Sequence, residues 1–391
     1  MNRCSAAASI ILITPSVLLL GHGYDLLVSY VAARNIVNGL SPYEGGTYPN
    51  PSYPTNIQGI GETPLWPLWL SGAYFLSQGD LLLFNALSKL PIVLSLLTLF
   101  LLVRKAGAGG GEFYLLNPFV LMTTAAWGKP DVLAAAILLL AMLKADRIGF
   151  SAVLLAASLD IKPLALGAVP AFIAYHGLRR GLKFLALLIF LSLVFFFTPF
   201  ILFGWNTSTP LGGTVNWLGE AGGLSPLNIF EYFYGWSYEG INPYGFVVGL
   251  PWLLAVALAS GTIILRRPRT FKELSWLALL GSTVFLVLRP RVSEQNLILP
   301  FLLIHVLTGK PPSTRLWLSV IAFSVLNFSV PQLLYPVWPT MAVDLYHTTW
   351  TFEGPRLVVR FLSSLVFYTL FFKELARVRK HAVDNSGACA G

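Results

Sequence analysis

Charged residues are scarce in this chain. Only 11% of its 391 residues are charged, while 55% are hydrophobic and the mean hydropathy is +0.70. Soluble domains carry roughly 25% charged residues, so the composition excludes an ordinary soluble protein. Apolar runs recur from Ala6 to Phe372 and leave no room for a separate soluble domain of typical size. We therefore expect one polytopic membrane domain over residues 1–391.

Cysteines and nucleotide-binding motifs are also scarce. The two cysteines, Cys4 and Cys389, lie at opposite ends of the chain, which supports neither a disulfide framework nor a thiolate metal site. The five histidines show no ligand spacing, and no phosphate-binding glycine motif precedes a predicted helix. We therefore predict no metal and no cofactor. A sugar-nucleotide enzyme is disfavoured because it would need a soluble fold.

Positive charge is present, and it occurs in short clusters between the apolar runs. The net charge is +9, and the clusters include 104–105, 144–147, 179–183, 266–272, 310–315 and 373–380. Because positive residues are retained on the cytoplasmic side, these clusters indicate cytoplasmic loops and not a nucleic-acid-binding surface. They predict an all-α bundle of about twelve spans, at residues 6–22, 82–103, 113–127, 131–144, 148–160, 163–176, 182–203, 244–265, 273–288, 295–309, 315–332 and 356–373.

Three of these spans are too short to face lipid along a full crossing: 113–127, 148–160 and 163–176. A 13-residue helix reaches about 20 Å, whereas the hydrocarbon core is about 30 Å thick. Such helices should line a cavity or be shielded by neighbours. Their predicted outer ends carry Lys129, Asp131, Asp160 and Lys162, so we expect a wet pocket in the outer leaflet.

Two predicted outer loops are long, 23–81 and 204–243. In the first, Leu26, Tyr30, Ala33 and Val37 draw an apolar stripe at helical spacing, and Gly39 stops the helix. We expect this helix to lie on the membrane surface, followed by a second interfacial helix over 63–76. The aromatic residues of the second loop either stack on sugar rings or are ordinary interfacial aromatics.

Asp25 is the first acidic residue of the chain and opens the predicted surface helix. One interpretation is an N-cap carboxylate that satisfies free backbone amides. The other is a general base, with a pKa that burial raises and nearby cations lower until it is poised near neutral pH. The two interpretations do not exclude each other.

Two other groups of ionisable residues lie at predicted span ends. Lys129 and Asp131 of "AAWGKPD" face Asp160 and Lys162 of "LDIKP", which predicts two acid–base pairs on facing helices; ordinary helix-start chemistry is the alternative. In "LRPRVSEQNLILP", Arg289, Arg291 and Glu294 predict either a phosphate clamp or snorkelling arginines.

Several blocks, read in order, resemble one family. "YDLLVSYVAARNIVNGLSPYE", "ETPLWPLWL", "FYLLNPFVLMTTAAWGKPDVLAAAILLL", "ASLDIKPLALGAVP" and "RVSEQNLILPF" are similar to the GT-C superfamily of integral-membrane glycosyltransferases. Within that superfamily they are most similar to the catalytic subunit of the first GPI mannosyltransferase and its prokaryotic relatives, over about residues 20–300. The resemblance implies an inverting transfer from a polyprenyl-phosphate sugar, typically dolichyl-phosphate-mannose, to a lipid-linked or glycan acceptor outside the cytoplasmic leaflet.

The resemblance also implies roles for particular residues. The family's catalytic acid after the first span corresponds to Asp25, although Gly23 replaces the first acid of the family's D-x-D-Y pattern, which argues against metal binding there. Arg289, Arg291 and Lys162 would stabilise the departing phosphate. The predicted substrate-binding residues are Lys129, Asp131, Asp160, Lys162, Arg289, Arg291, Glu294, Gln295 and Glu62. The resemblance leaves open a small accessory subunit.

Two other classes of protein fit the same hydropathy. A polytopic transporter or lipid flippase would use intramembrane charges along a substrate path and would be favoured by internal repeats, which the sequence does not show convincingly. A structural partner subunit is the third class. Compact loops favour a prokaryotic plasma membrane; a eukaryotic protein of this kind would lie in the ER membrane.

Overall fold

The computed structural model describes residues 3–48, 56–208, 222–234, 245–327, 329–350 and 353–387, and most of these residues are helical. In the second predicted outer loop, the segments 216–223 and 231–240 were expected either to stack on sugar rings or to be interfacial aromatics, and their residues 216–221 and 235–240 lie outside the described residues. Among the described residues the strands are two-residue pairs: β1 (Gly46–Thr47) antiparallel to β2 (Asn56–Ile57), and β3 (Gly222–Gly223) parallel to β4 (Arg291–Val292). The all-α prediction is confirmed.

The first third of the chain begins with α1 (Arg3–Leu19), which ends just before the surface-helix segment. That segment forms α2 (Gly23–Val37), and Gly39 adopts φ +76° just beyond its end, as predicted. The next helix, α3 (Leu65–Ser77), packs along α2. Leu26, Tyr30 and Ala33 of the predicted stripe are buried as expected, whereas Val37 is 43% exposed. However, Leu27 and Val31 are buried as well, so α2 is covered on more sides than a helix lying on a membrane surface with a single apolar stripe.

The first long apolar helix is divided at Lys89 into α4 (Leu81–Ser88) and α5 (Leu90–Lys105). The predicted span at 113–127 is broken into α6 (Phe113–Leu116), α7 (Pro118–Leu121) and a π-helical turn at Met122–Ala126. The side chain of Asn117 accepts from the amide of Phe119 at 2.9 Å and so caps α7. The helix axis then bends by 109° before α8 (Asp131–Leu143) begins.

The remaining described helices follow in chain order. They are α9 (Ile148–Ile161), a 3₁₀ turn (Pro163–Ala168), α10 (Val169–His176), α11 (Leu178–Phe203), a 3₁₀ turn (Pro226–Asn228), α12 (Ile229–Tyr234), α13 (Gly245–Ile264), α14 (Phe271–Ser282) with a π turn (Thr283–Val287), a 3₁₀ turn (Glu294–Leu297), α15 (Ile298–Thr308), α16 (Thr314–Leu326), α17 (Ser329–Gln332), α18 (Pro339–Trp350) and α19 (Glu353–Gly387). The core lies where α8 packs on α9 and α5, and α9 on α11.

Three described helical segments are long and apolar enough to cross a membrane: Leu81–Lys105, Leu178–Phe203 and Gly354–Lys380. The bent pair Pro118–Ala126 and Asp131–Leu143 makes a fourth if it is one broken span, and six further apolar helices are shorter. Only 17% of the most apolar window of Leu178–Phe203 is buried, so this helix presents an apolar surface suited to lipid. These helices are compatible with a membrane protein, and the number of about twelve crossings remains a prediction.

Candidate functional site

The segment between α1 and α2 positions the first carboxylate. His22 is the N-cap residue of α2, and its Nδ1 accepts from the amide of Asp25 at 3.5 Å. Asp25 lies three residues into the sequence that follows the cap, in the first turn of the helix. The prediction that Asp25 itself is the N-cap is therefore wrong. Because His22 takes the capping role, the Asp25 carboxylate is available for contacts outside its own helix.

The Asp25 carboxylate binds the turn at the 109° bend. Its Oδ2 accepts from Trp127 Nε1 at 2.6 Å and lies 3.1 Å from Lys129 Nζ. The Trp127 ring also stacks on His22, with centroids 4.5 Å apart. Within the described part of the chain, Oδ1 of Asp25 has no hydrogen-bond partner. One oxygen is therefore held by two donors while the other is unbonded.

Lys129 also contacts a second carboxylate. Its Nζ lies 3.4 Å from Oε1 of Glu62, in the loop before α3. The side chains of Lys129, Glu62 and Asp25 are 16%, 15% and 28% exposed, so the group is largely enclosed but reachable by water. We name the five residues His22, Asp25, Glu62, Trp127 and Lys129 the Asp25 cluster.

Electrostatics keep Asp25 ionised. Burial raises its pKa, but the charge of Lys129 and the hydrogen bond from Trp127 act against burial, and the net pKa lies well below its usual range. The expectation of a carboxylate poised near neutral pH is therefore wrong. Burial lowers the pKa of His22 to about 4, despite the opposing effect of Asp25. His22 is thus neutral near pH 7, which agrees with its Nδ1 acting as an acceptor.

A small cavity adjoins the Asp25 cluster. It has a volume of about 20 Å³, enough for roughly one or two water molecules. It is lined by Asp25, Leu26, Ser29, Glu62, Trp66, Leu70, Asn85, Ser88, Lys89, Trp127, Gly128, Lys129 and Pro130. Pockets that enclose small molecules measure roughly 300–1,000 Å³, so the cavity is closed to a sugar in this conformation.

A second cluster joins α8, the segment after α9 and the turn before α15. Lys162 Nζ lies 2.5 Å from Oδ2 of Asp131, and Asn296 Nδ2 donates to Oδ1 of Asp131 at 2.9 Å. This is one of the two predicted pairs, and Asn296 is an addition that sequence reasoning missed. Asp131 is 1% exposed. Both of its oxygens are bonded, in contrast to those of Asp25.

The second predicted pair, Lys129 with Asp160, is wrong. Asp160 Oδ2 instead accepts from the amide of Leu65 at 3.3 Å, and its backbone oxygen accepts from Thr63 Oγ1. Leu65 is the first residue of α3, so Asp160 satisfies a free amide at that helix start. Asp160 therefore anchors the start of α3 and does not contact Lys129.

The segment that contains Arg289 and Arg291 continues to Asn296, whose side chain bonds to Asp131 of the second cluster. Arg289 Nε donates to the backbone oxygen of Arg291 at 2.6 Å. Glu294 is 3% exposed and accepts weak hydrogen bonds from Ser324 and Asn327 at 3.4 and 3.3 Å. Gln295 is also buried. Glu294 and Gln295 are thus packed inside the fold in this conformation, while a phosphate-binding role for the two arginines remains a prediction.

His22 and Trp127 were missed at the sequence level. Both stood next to residues that were singled out, in "HGYD" and "AAWGKPD", but an aromatic residue near a predicted membrane boundary is expected for interfacial reasons alone. Among the described residues, no three His, Cys, Asp or Glu side chains converge as metal ligands.

Comparison with known proteins gives no match: no protein-family model, curated protein or solved structure is similar to this chain.

Proposed function

We propose that this protein is a membrane glycosyltransferase that moves a sugar from a polyprenyl-phosphate donor to a lipid-linked or glycan acceptor on the non-cytoplasmic face. The proposal rests first on the Asp25 carboxylate, which is enclosed, ionised and held through one oxygen by Trp127 and Lys129. Its unbonded second oxygen has the chemistry of a general base. The resemblance of the sequence blocks favours mannose as the sugar and GT-C as the type of fold.

The reaction is an inverting displacement. Oδ1 of Asp25 takes the proton from an acceptor hydroxyl while the hydroxyl oxygen forms a bond to the anomeric carbon of the donor sugar. The bond from that carbon to the phosphate oxygen breaks on the opposite face, and its electron pair leaves with the polyprenyl phosphate. The phosphate departs as an anion, so no leaving-group acid is required.

Lys129 links donor binding to the strength of the base. While it contacts Asp25 at 3.1 Å, it lowers the affinity of that carboxylate for a proton. The donor phosphate is a diester whose single negative charge is shared by two oxygens, as in a carboxylate, so it competes with Asp25 for the ammonium group. We propose that the phosphate draws Lys129 away from Asp25, so that Asp25 becomes more basic when the donor is bound.

Cations further along the site neutralise the leaving group in this proposal. Lys162, which Asp131 holds at 2.5 Å, would act with Arg289 and Arg291 on the departing phosphate. Asn296 follows Arg291 closely in the chain and binds the same Asp131, which supports a common location for these groups.

Substrates can enter only after the cavity widens, since about 20 Å³ holds no sugar. The contact between Glu62 and Lys129, 3.4 Å long, connects the loop before α3 with the turn at 127–130. It is a weak contact by its length. We propose that this contact breaks to admit the donor, with Glu62 then free to bind sugar hydroxyls.

The direct test is sugar transfer by the purified protein. Synthetic polyprenyl-phosphate mannose, radiolabelled in the sugar, is incubated with the protein and a lipid extract of the host membrane, beside a mock preparation from the same membrane. We expect label in a new glycolipid and no label with the mock. A parallel reaction with the glucose donor reports the choice of sugar. Absence of transfer from either donor, with a candidate accessory subunit added, would contradict the proposal.

A transporter or lipid flippase is the second candidate, and the 109° bend favours it. Broken helices whose ends meet at charged residues are a feature of transporter binding sites, and the bend carries Trp127 and Lys129. This candidate predicts that the protein moves labelled polyprenyl phosphate across reconstituted vesicles without any covalent product. Product analysis of the transfer reaction separates the two functions.

A further inference from the structure

A buried lysine outside the proposed chemistry connects the two segments that form the Asp25 cluster. Lys89 lies at the junction of α4 and α5, inside the long apolar helix Leu81–Lys105, and is 1% exposed. A buried ammonium group in an apolar setting is costly unless it is well bonded. In the described part of the chain no carboxylate forms a salt bridge with it, so its charge is compensated in another way.

The compensation comes from the ends of two helices. Lys89 Nζ donates to the backbone oxygen of Leu20, directly after α1, and to that of Ala126, the last residue of the π turn, at 2.9 Å. Carbonyls at helix C-termini lack partners within their own helix and carry partial negative charge. The Lys89 side chain therefore bonds to carbonyl groups at two helix ends, at residues 20 and 126, which are 106 residues apart in the sequence.

Those two carbonyls directly precede the segments that carry the site. Leu20 is followed by His22 and Asp25, and Ala126 is followed by Trp127 and Lys129. The contacts of the Asp25 cluster join these two segments to each other. They are the stack of His22 on Trp127 and the two bonds to Asp25 Oδ2.

Neighbouring residues fit the same role. Asn85, one turn before Lys89, also donates to the Leu20 oxygen at 2.9 Å and to that of Val17 at 3.2 Å. Gly128 has φ +86°, and a Cβ at this position would lie 3.1 Å from Cε of Lys89. The turn at 127–130 thus runs directly against the lysine side chain, where a side chain on residue 128 would press on it.

We infer that Lys89 is a positioning residue that holds the end of α1 against the turn at 127–130 and thereby sets the geometry of Asp25 with Trp127 and Lys129. The structural part of this inference does not depend on the reaction. Its consequence for catalysis rests on the proposed glycosyltransferase function.

The test measures the surroundings of Trp127 directly. Protein labelled with 5-fluorotryptophan gives ¹⁹F resonances for its 11 tryptophans, and the Trp127→Phe variant identifies the one that belongs to Trp127. In Lys89→Met we expect that resonance to move by more than its linewidth or to broaden, while the others stay in place. Lys89→Arg, which keeps the donors, should restore it at least in part. Lys105→Met, at the exposed end of α5, is the matched control and should change nothing at Trp127.

Two further measurements cover the case in which Lys89→Met does not fold and the effect of the change on transfer. If Lys89→Met does not fold, Gly128→Ala perturbs the same contact with the lysine intact and should displace the same resonance. In the transfer assay, Lys89→Met should lower kcat by roughly ten- to a hundredfold with little change in KM, because misplaced groups slow the reaction more than they weaken binding.

An unchanged Trp127 resonance in folded Lys89→Met would overturn the inference, whatever the transfer assay shows. A displaced resonance in a protein that has no transfer activity would uphold the positioning role and count against the proposed function. The two proposals therefore fail separately.

Discussion

The described residues contain two lysine–aspartate pairs, and these differ in how completely their carboxylates are bonded. Asp131 is 1% exposed, with one oxygen on Lys162 and the other on Asn296. The side chain of Asp25 is 28% exposed, with both donors on Oδ2 and a cavity beside it. Both oxygens of the Asp131 carboxylate are thus bonded, whereas only one oxygen of the Asp25 carboxylate is.

This difference in bonding indicates a structural role for the Asp131 carboxylate and a reactive role for that of Asp25. A buried carboxylate with all its oxygens bonded fixes the elements that meet around it, and removing one partner leaves an uncompensated charge. A carboxylate with an unbonded oxygen beside a cavity retains the capacity to accept a proton. We therefore propose that Asp25 transfers the proton and that Asp131 positions Lys162.

The largest effect is expected for Asp25→Asn in the transfer reaction. An amide cannot take the acceptor proton, so the rate should fall by roughly 10²- to 10⁴-fold, the range typical of a general base. Asp80→Asn is the matched control, since Asp80 caps α4 by accepting from the Leu83 amide at 2.7 Å and asparagine caps equally well. If the two variants keep equal activity, Asp25 is not the base.

A large loss of stability is expected for Asp131→Asn. This change leaves Lys162 without its carboxylate partner, and breaking one side of a buried pair costs about 3–5 kcal/mol. Thermal unfolding in detergent should show a clearly lower Tm than for wild type. The comparison between the pairs would be broken if Asp25→Asn lowered the Tm as much as Asp131→Asn does.

His22 should make stability depend on pH. Its pKa is about 4 in the folded protein and 6.5 for an unperturbed histidine, as in the unfolded chain. Between pH 4 and pH 6.5 the unfolded chain therefore binds more protons than the folded protein does. Stability therefore falls as the pH is lowered from 6.5 to 4, by about 3 kcal/mol at most. The measurement is the difference in Tm between wild type and His22→Asn across this range. A difference that does not vary with pH would show that His22 is not held neutral.

The smallest effect is expected for Trp127→Phe, which keeps an aromatic ring against His22 and removes the donor to Asp25. The lost hydrogen bond to a charged group corresponds to roughly 1.5–3 kcal/mol. Because that bond lowers the pKa of Asp25, its loss raises the pKa, and the acidic limb of the pH–rate profile should move to higher pH. An unmoved acidic limb would mean that Trp127 does not tune the carboxylate.

The sequence predicted the helical class, the first long apolar helix, the end of α2 at Gly39 and the pair between Asp131 and Lys162. These features follow from local composition and spacing. It did not predict where Lys129 would bind. The turn containing Gly128, with φ +86°, and the 109° bend carry Lys129 to Asp25 and not to Asp160. A bend of this kind depends on tertiary packing, which helical periodicity does not report.

The sequence also failed to predict the capping role of His22 and the bond from Asn296 to Asp131, for a related reason. His22 caps α2 although Asp25 is the better capping residue by type, because the carboxylate is bound by Trp127 and Lys129 from another part of the chain. Asn296 lies in an apolar segment and has meaning only through Asp131, 165 residues away. Partners so distant in sequence leave no local pattern.

The most direct test of the central claim is transfer by Asp25→Asn and Asp131→Asn at a low temperature where both remain folded, with rates expressed per folded molecule. The account predicts that Asp131→Asn keeps transfer within about tenfold of wild type, because the base is intact and Arg289 and Arg291 still stabilise the departing phosphate. It predicts that Asp25→Asn loses transfer by at least about 10²-fold. Equal losses in the two variants, or full activity in Asp25→Asn, would contradict it.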